Sequence, residues 1–109
     1  MTMFEDRKDA FEKKFALDEE FRFRVHARAT KLLSLWAAEQ MDMEEAKAME
    51  YAIHMVEDSF RLTGEWNVAH KIQFDLRQHG VKITDEEMQD AKERFLGEAR
   101  KQMEAEADK

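Results

Sequence analysis

The chain contains no cysteine, no proline and only three glycines among its 109 residues. The absence of cysteine excludes a disulfide framework and a thiolate metal site, and it is typical of a cytosolic protein. Proline and glycine interrupt helices, whereas the β-branched residues that favour strands are limited to four Val, three Ile and four Thr. Because 39% of the residues are also charged, we expect an all-α protein built from long helices.

Apolar runs are short throughout the sequence. A membrane span needs about 18 consecutive apolar residues, and no such stretch occurs, so we expect no transmembrane segment. No apolar run follows a basic start, so we also expect no secretory signal. The net charge of −7 opposes association with a phosphate backbone, and we therefore expect no nucleic-acid partner. A chain of this length suffices for one hydrophobic core.

The sequence also lacks the patterns of a catalytic or metal site. No two of its histidines have the four-residue spacing of a zinc helix, and the Glu-x-x-His pattern of di-iron bundles is missing. A glycine-rich phosphate loop, a nucleophile elbow and an acidic calcium loop are missing as well. We therefore expect a protein that is not an enzyme and that has no cofactor and no metal site. The histidines are His26, His54, His70 and His79.

Apolar residues recur at three- and four-residue spacing in five segments. This spacing predicts helices over about 3–16, 18–40, 43–62, 66–79 and from 85 onward, and the first two can run together because nothing between them breaks a helix. Glycines at two expected helix ends are Gly64 and Gly80. The expected capping boxes are Thr2 with Glu5, Asp42 with Glu45, and Thr84 with Glu87.

The four segments after Asp18 carry enough large apolar side chains to fill one core, which predicts a four-helix bundle. In the third segment the predicted core-facing residues are Ala46, Met49, Ile53, Val56 and Phe60. The predicted centre of the whole core comprises Leu32, Trp36, Ile53, Val56, Phe60, Ile72, Leu76 and Phe95.

The first segment adds an aromatic stripe that this core does not need. Phe4, Phe11 and Phe15 share one helix face beside Lys8, and the charges around them balance. Such a segment can pack on its own bundle as an extra helix, or it can dock on another protein. A helix this short is marginal alone in water, which suits a segment that a partner orders.

Two blocks of the sequence point to a family. Residues 11–15 read Phe-Glu-Lys-Lys-Phe, and residues 31–39 read Lys-Leu-Leu-Ser-Leu-Trp-Ala-Ala-Glu. Together with the Gly80-Val81 turn, these blocks resemble the alphaproteobacterial zeta subunit, the small intrinsic inhibitor of the F1Fo ATP synthase. The resemblance extends over nearly the whole chain.

This resemblance implies a non-catalytic regulatory subunit in which residues 1–17 are a mobile inhibitory arm and residues 18–109 a four-helix bundle. It further implies that the arm enters a catalytic α/β interface of F1 next to the γ rotor and blocks ATP hydrolysis. The implied partners are therefore the α, β and γ subunits, and the implied location is cytoplasmic, peripheral to the inner membrane through F1. Carried over by position, the anchors that bind the partner are Phe4, Phe11 and Phe15. We expect the cations of the arm to bind the partner as well, by pairing with carboxylates of the acidic catalytic subunits, and these cations are Arg7, Lys8, Lys13 and Lys14.

Two other functions are compatible with the same residues. The chain can be a helical adaptor or scaffold in which the N-terminal helix is one more wall of the bundle. It can also be a bundle that binds a small anion or nucleotide near a group of cations. We consider those cations more typical of a solvated face with pairs such as Glu20 and Arg24. The group comprises Arg22, Arg24, Arg28 and Lys31.

Overall fold

A computed structural model of the chain describes the backbone of residues 3–61 and 65–107 and the side chains of residues 18–61 and 68–106. Four helices follow one another, namely α1 (Met3–Gln40), α2 (Glu45–Arg61), α3 (Glu65–Gln78) and α4 (Asp85–Ala107). These ranges contain no strand, and the predicted all-α bundle is confirmed. The segments predicted at 3–16 and 18–40 form one helix of 38 residues.

Helix α1 ends in a left-handed turn at Asp42, where φ is 56°. The amide of Met43 donates to the carbonyl of Ala38 at 3.0 Å, which is the hydrogen bond of a helix C-terminus. Aspartate tolerates this backbone region better than most residues that carry a side chain. The predicted capping box of Asp42 with Glu45 is therefore wrong. Asp42 closes α1 instead, and the carbonyl of Glu44 accepts the first hydrogen bond of α2 at 2.8 Å.

The end of α3 follows its local sequence. Gly80 adopts a φ of 80°, which costs glycine little, and the amide of Val81 donates to the carbonyl of Leu76 at 3.0 Å. The predicted helix end at Gly80 is confirmed. On either side of the next helix start, Ile83 and Met88 are both buried in the main core, as a hydrophobic staple requires.

The start of α4 is a reciprocal capping box. The Thr84 hydroxyl accepts a hydrogen bond from the Glu87 amide at 3.0 Å, and the Glu87 carboxylate accepts one from the Thr84 amide at 3.4 Å. This predicted box is confirmed. The expected cap at Thr2 and the expected helix end at Gly64 lie outside the described residues.

Helix α1 is the central helix of the bundle and runs antiparallel to α2 and α4. Its deepest positions are small residues, Ser34, Ala37 and Ala38, all with no exposed surface, so neighbouring helices approach its backbone closely. A second, smaller apolar cluster joins α1 to α4 through Val25, Ala29 and Ala99. The main core comprises Leu33, Ala37, Met41, Met55, Val68, Ala69, Ile72, Leu76, Ile83, Met88, Ala91 and Phe95.

The predicted core centre is correct in part. Ile72, Leu76 and Phe95 are buried, as expected. Three other residues of the predicted centre are half-buried at the edge of the core, namely Leu32 and Trp36 on α1 and Val56 on α2. Trp36 packs against Phe95 with ring centroids 6.1 Å apart.

Helix α2 presents a different face to the core from the one predicted. Ile53 and Phe60 are 51% and 54% exposed, whereas Ala52 and Met55 are buried. Ala46 and Met49 are exposed as well, so the predicted stripe faces outward rather than inward. Ala52 has a small side chain, which allows α2 to pack closely on α1, where Ala37 and Ala38 are small as well.

Among the helices of the described residues, none combines the length and the apolar character that crossing a bilayer requires.

Candidate functional site

The partner-binding residues predicted from sequence all fall in the first part of α1. Their backbone belongs to the continuous helix that begins at Met3, but their side chains lie outside the described residues. The structure therefore leaves the predicted roles of these residues as predictions. The residues concerned are Phe4, Arg7, Lys8, Phe11, Lys13, Lys14 and Phe15.

The ends of the neighbouring helices lie beside later residues of α1. Phe60, the penultimate residue of α2, stacks on Phe23 with ring centroids 5.1 Å apart. At the end of α4, Glu106 accepts a hydrogen bond from Arg28 at 2.5 Å. Because α2 and α4 both run antiparallel to α1, their last turns end at this level. Residues 3–17 precede Phe23 along α1 by six residues or more, which is at least about one and a half turns.

The part of α1 at this level is firmly attached to α4. Val25 and Ala29 pack on Ala99, and Phe21 and Met103 cover the cluster from its edges. The Arg28 guanidinium reaches across to α4 as well, where it also donates to Gln102 at 3.4 Å. Apolar burial and a half-buried ion pair thus hold α1 against α4 from Phe21 to Ala29, shortly after the first 17 residues of the chain.

The cations of this region are paired with carboxylates. Arg24 donates to Glu20 at 2.6 Å, which confirms the predicted pair, and Arg22 lies 3.6 Å from Glu19. Exposed pairs of this kind contribute little to stability, roughly 0–1 kcal/mol each. They do reduce the positive charge that a small anion would meet. A shallow groove beside them is lined by Phe23, Arg24, Ala27, Arg28, Lys31, Val56, Met103 and Glu106.

An exposed aromatic pair at the same end was missed by the sequence reasoning. Phe23 and Phe60 stack with an interplanar angle of 26°, and both side chains are more than half exposed. Phe60 continues the outward stripe of α2, so the pair joins apolar surface of two helices. The sequence signal was present, since apolar spacing on α2 fits two adjacent faces, but spacing alone does not tell which face is buried.

Two polar contacts join α2 to α3 on the side of the helix that lies away from this stripe. The Tyr51 hydroxyl donates to the Asp75 carboxylate at 2.8 Å, and burial together with this bond raises the pKa of Tyr51. Lys71 donates to the Asp58 carboxylate, and this hydrogen bond lowers the pKa of Asp58. Both contacts are interhelical and therefore orient the whole helix.

The described side chains contain no group of three or more His, Asp or Glu residues placed to hold a metal ion. Three of the histidines sit on the exposed surface, namely His54, His70 and His79, and His26 is half-buried.

A comparison with curated proteins gave no match. A family model described as ATPase inhibitor subunit zeta matches residues 1–102, a range that includes the first part of α1 and nearly all of the bundle. The match agrees with the resemblance carried by the 11–15 and 31–39 blocks. The chain therefore belongs to the ATPase inhibitor subunit zeta family.

Proposed function

We propose that this protein inhibits ATP hydrolysis by the F1 part of the F-type ATP synthase by inserting residues 1–17 at a catalytic α/β interface next to the γ rotor. The observation that carries the proposal is the continuity of α1, which is helical from Met3 to Gln40 although α2 and α4 end beside Phe23 and Arg28. Family membership supports an inhibitory role for the chain as a whole.

An arm continuous with an anchored helix has an energetic advantage. An isolated helix must first form a nucleus, which is unfavourable, whereas an arm attached to α1 extends a helix that Val25 and Ala29 already hold against α4. The entropy lost when a partner orders the arm is reduced accordingly. More of the binding free energy then remains available for inhibition.

The arm residues match the chemistry of such a site. Burial of Phe4, Phe11 and Phe15 would contribute about 1.5–3 kcal/mol each. The four cations of the arm would pair with carboxylates of the catalytic subunits, which adds orientation and speeds association. The cations are Arg7, Lys8, Lys13 and Lys14. In this proposal the protein is cytoplasmic and reaches the inner membrane only through F1.

A truncation tests the proposal. ATP hydrolysis by F1 is titrated with the full chain and with a chain that lacks residues 1–17, and the unfolding midpoint of both chains is measured. We expect the full chain to inhibit and the truncated chain to remain folded without inhibiting. A truncated chain that inhibits as strongly as the full chain would refute the role of the arm.

A further inference from the structure

We propose that the outward face of α2 is a second docking surface, which holds an amphipathic helix of the ATP synthase that carries carboxylates along one edge. The surface, called here the α2 stripe, comprises Met49, Ile53, Val56 and Phe60 of α2 together with Phe23 of α1. The inference rests on the proposed function, because it assigns a second contact to the same partner.

The α2 stripe gathers most of the exposed apolar surface of the described residues. Among the described residues, five large hydrophobic side chains are exposed, and four of these belong to the α2 stripe. Their exposed fractions are 41% for Met49, 51% for Ile53, 54% for Phe60 and 57% for Phe23. The fifth, Phe74, lies on α3. Scattered apolar residues are normal on a protein surface, whereas a contiguous row indicates an interaction site.

The spacing of the row fits a helical partner. Met49, Ile53, Val56 and Phe60 are separated by four, three and four residues, so they form a straight row along one side of α2. Two helices pack by interlocking such rows, and an amphipathic helix laid on an apolar surface provides the complementary row. The stacked Phe23 widens the surface at the end nearest the arm.

The charges on the two sides of the row define the partner further. On the α1 side, the groove that contains Phe23 and Val56 is lined by three cations, Arg24, Arg28 and Lys31, and by one carboxylate, Glu106. Arg24 and Arg28 already donate to Glu20 and Glu106, so Lys31 contributes most of the net positive charge there. On the other side, helix geometry places the exposed Glu50 and Glu57 along the row, and Glu57 lies 3.9 Å from Arg61. A partner helix with carboxylates on the edge that faces α1 would meet cations there, and the reverse orientation would place like charges together.

The location links this surface to the arm. Phe23 lies six residues after Leu17 in the same helix, which is less than two turns. A partner that holds the arm therefore has surface within reach of the α2 stripe. Two contacts joined by one continuous helix increase the overall affinity, because the second contact forms intramolecularly.

The experiment compares full-length variants with the wild-type chain for affinity to isolated F1 and for inhibition at saturation. The double variant Met49→Gln/Ile53→Gln makes the centre of the row polar while keeping good helix formers. We expect its affinity for F1 to fall by about tenfold or more. We expect its inhibition at saturating concentration to equal that of the wild-type chain, since the arm is intact.

Two control variants isolate the surface. Phe74→Gln removes an equally exposed aromatic residue from α3 and should leave affinity unchanged. Lys31→Glu reverses a charge at the groove and should weaken binding most at low salt, whereas Lys82→Glu in the α3–α4 turn should not. Unfolding midpoints measured on all variants identify any loss of fold.

Several outcomes would overturn the inference. One is a double variant that binds F1 as tightly as the wild-type chain, and another is an equal effect of Phe74→Gln. A third is a wild-type chain that forms a dimer which the double variant loses, because the stripe would then be occupied by a second copy. The proposed function fails separately, if variants of the arm still inhibit.

Discussion

The ring of Phe23 in α1 stacks on the ring of Phe60 in α2, with the centroids 5.1 Å apart and the planes inclined by 26°. This pair closes the α1–α2 hairpin at the end from which the first part of α1 continues toward Met3. Both rings remain more than half exposed. This contact thus joins the two helices at that end and contributes apolar surface beside residues 1–17.

The first prediction compares a buried residue with an exposed residue of the same class. Leu76 has no exposed surface, so Leu76→Ala should lower the free energy of unfolding by about 2–5 kcal/mol. Ile53 is half exposed, so Ile53→Ala should change it by only about 0.5 kcal/mol. Urea unfolding measures both. A loss at Ile53 as large as that at Leu76 would mean that α2 packs on its 49/53/60 face after all.

The second prediction concerns two glycines with opposite requirements. Gly97 lies inside α4 with open space where a Cβ would stand, so Gly97→Ala should raise the free energy of unfolding by about 0.5–1 kcal/mol. Gly80 has a φ of 80°, so Gly80→Ala should lower it by about 1–2 kcal/mol despite equally open space. Urea unfolding of the two variants should therefore shift in opposite directions, and shifts of the same sign would contradict the assigned backbone conformations.

The third prediction concerns alkaline pH. Burial, and then the hydrogen bond to Asp75, raise the pKa of Tyr51 above its ordinary value of 10.0. This difference in pKa stabilises the folded protein, and the full contribution is present below the pKa that Tyr51 has in the unfolded chain. That contribution declines as the pH rises above about 10, because the unfolded chain ionises first. Tyr51→Phe should abolish this part of the decline.

The chain has a single tyrosine, so its ultraviolet titration reports this residue alone. We expect the native protein to show no tyrosinate at a pH where the urea-unfolded protein is half ionised. A native titration that coincides with the unfolded one would show that the bond to Asp75 does not form.

Local signals explain what the sequence predicted well. Thr84 and Glu87 cap each other across three residues, and Gly80 ends α3 through its own backbone preference, so both features depend on neighbours in the chain. The same kind of local signal misled at Asp42. An aspartate three residues before Glu45 fits a capping box, but it fits a left-handed helix end equally well. In the structure Asp42 adopts the left-handed conformation that ends α1.

The orientation of α2 could not be predicted from spacing. The rows 49/53/56/60 and 48/52/55/59 are adjacent on the helix, and the first has the larger apolar side chains. In the structure the second row faces the core, and its small residues Ala48 and Ala52 allow close packing on α1. The larger side chains then remain exposed, a result that no pattern within one helix reveals.

The contacts of the arm, residues 1–17, could not be predicted from the sequence either. Phe4, Phe11 and Phe15 were identified because the core needs no further aromatic residues, and their helical backbone follows from the lack of a breaker before Glu19. In the proposed function their contacts are made with residues of another protein. The sequence therefore predicts which residues are available, and the partner determines how they are used.

The fourth prediction concerns the charges of the arm. Lys13→Glu/Lys14→Glu should abolish inhibition of F1, because two cations proposed to face acidic catalytic subunits become carboxylates. The unfolding midpoint should stay near that of the wild-type chain, since the proposal places both side chains on the partner rather than in the bundle. A matched reversal at Lys101 in α4 should leave inhibition intact. Unchanged inhibition by the arm variant would remove electrostatic docking from the proposal.

The most direct test of the inhibitory arm is a titration of F1 ATP hydrolysis with full-length Phe11→Ala/Phe15→Ala beside the wild-type chain. The proposal predicts that the variant remains folded, with a wild-type unfolding midpoint, and fails to inhibit even at concentrations that saturate the wild-type effect. Inhibition by the variant at wild-type concentrations and to the wild-type extent would contradict it.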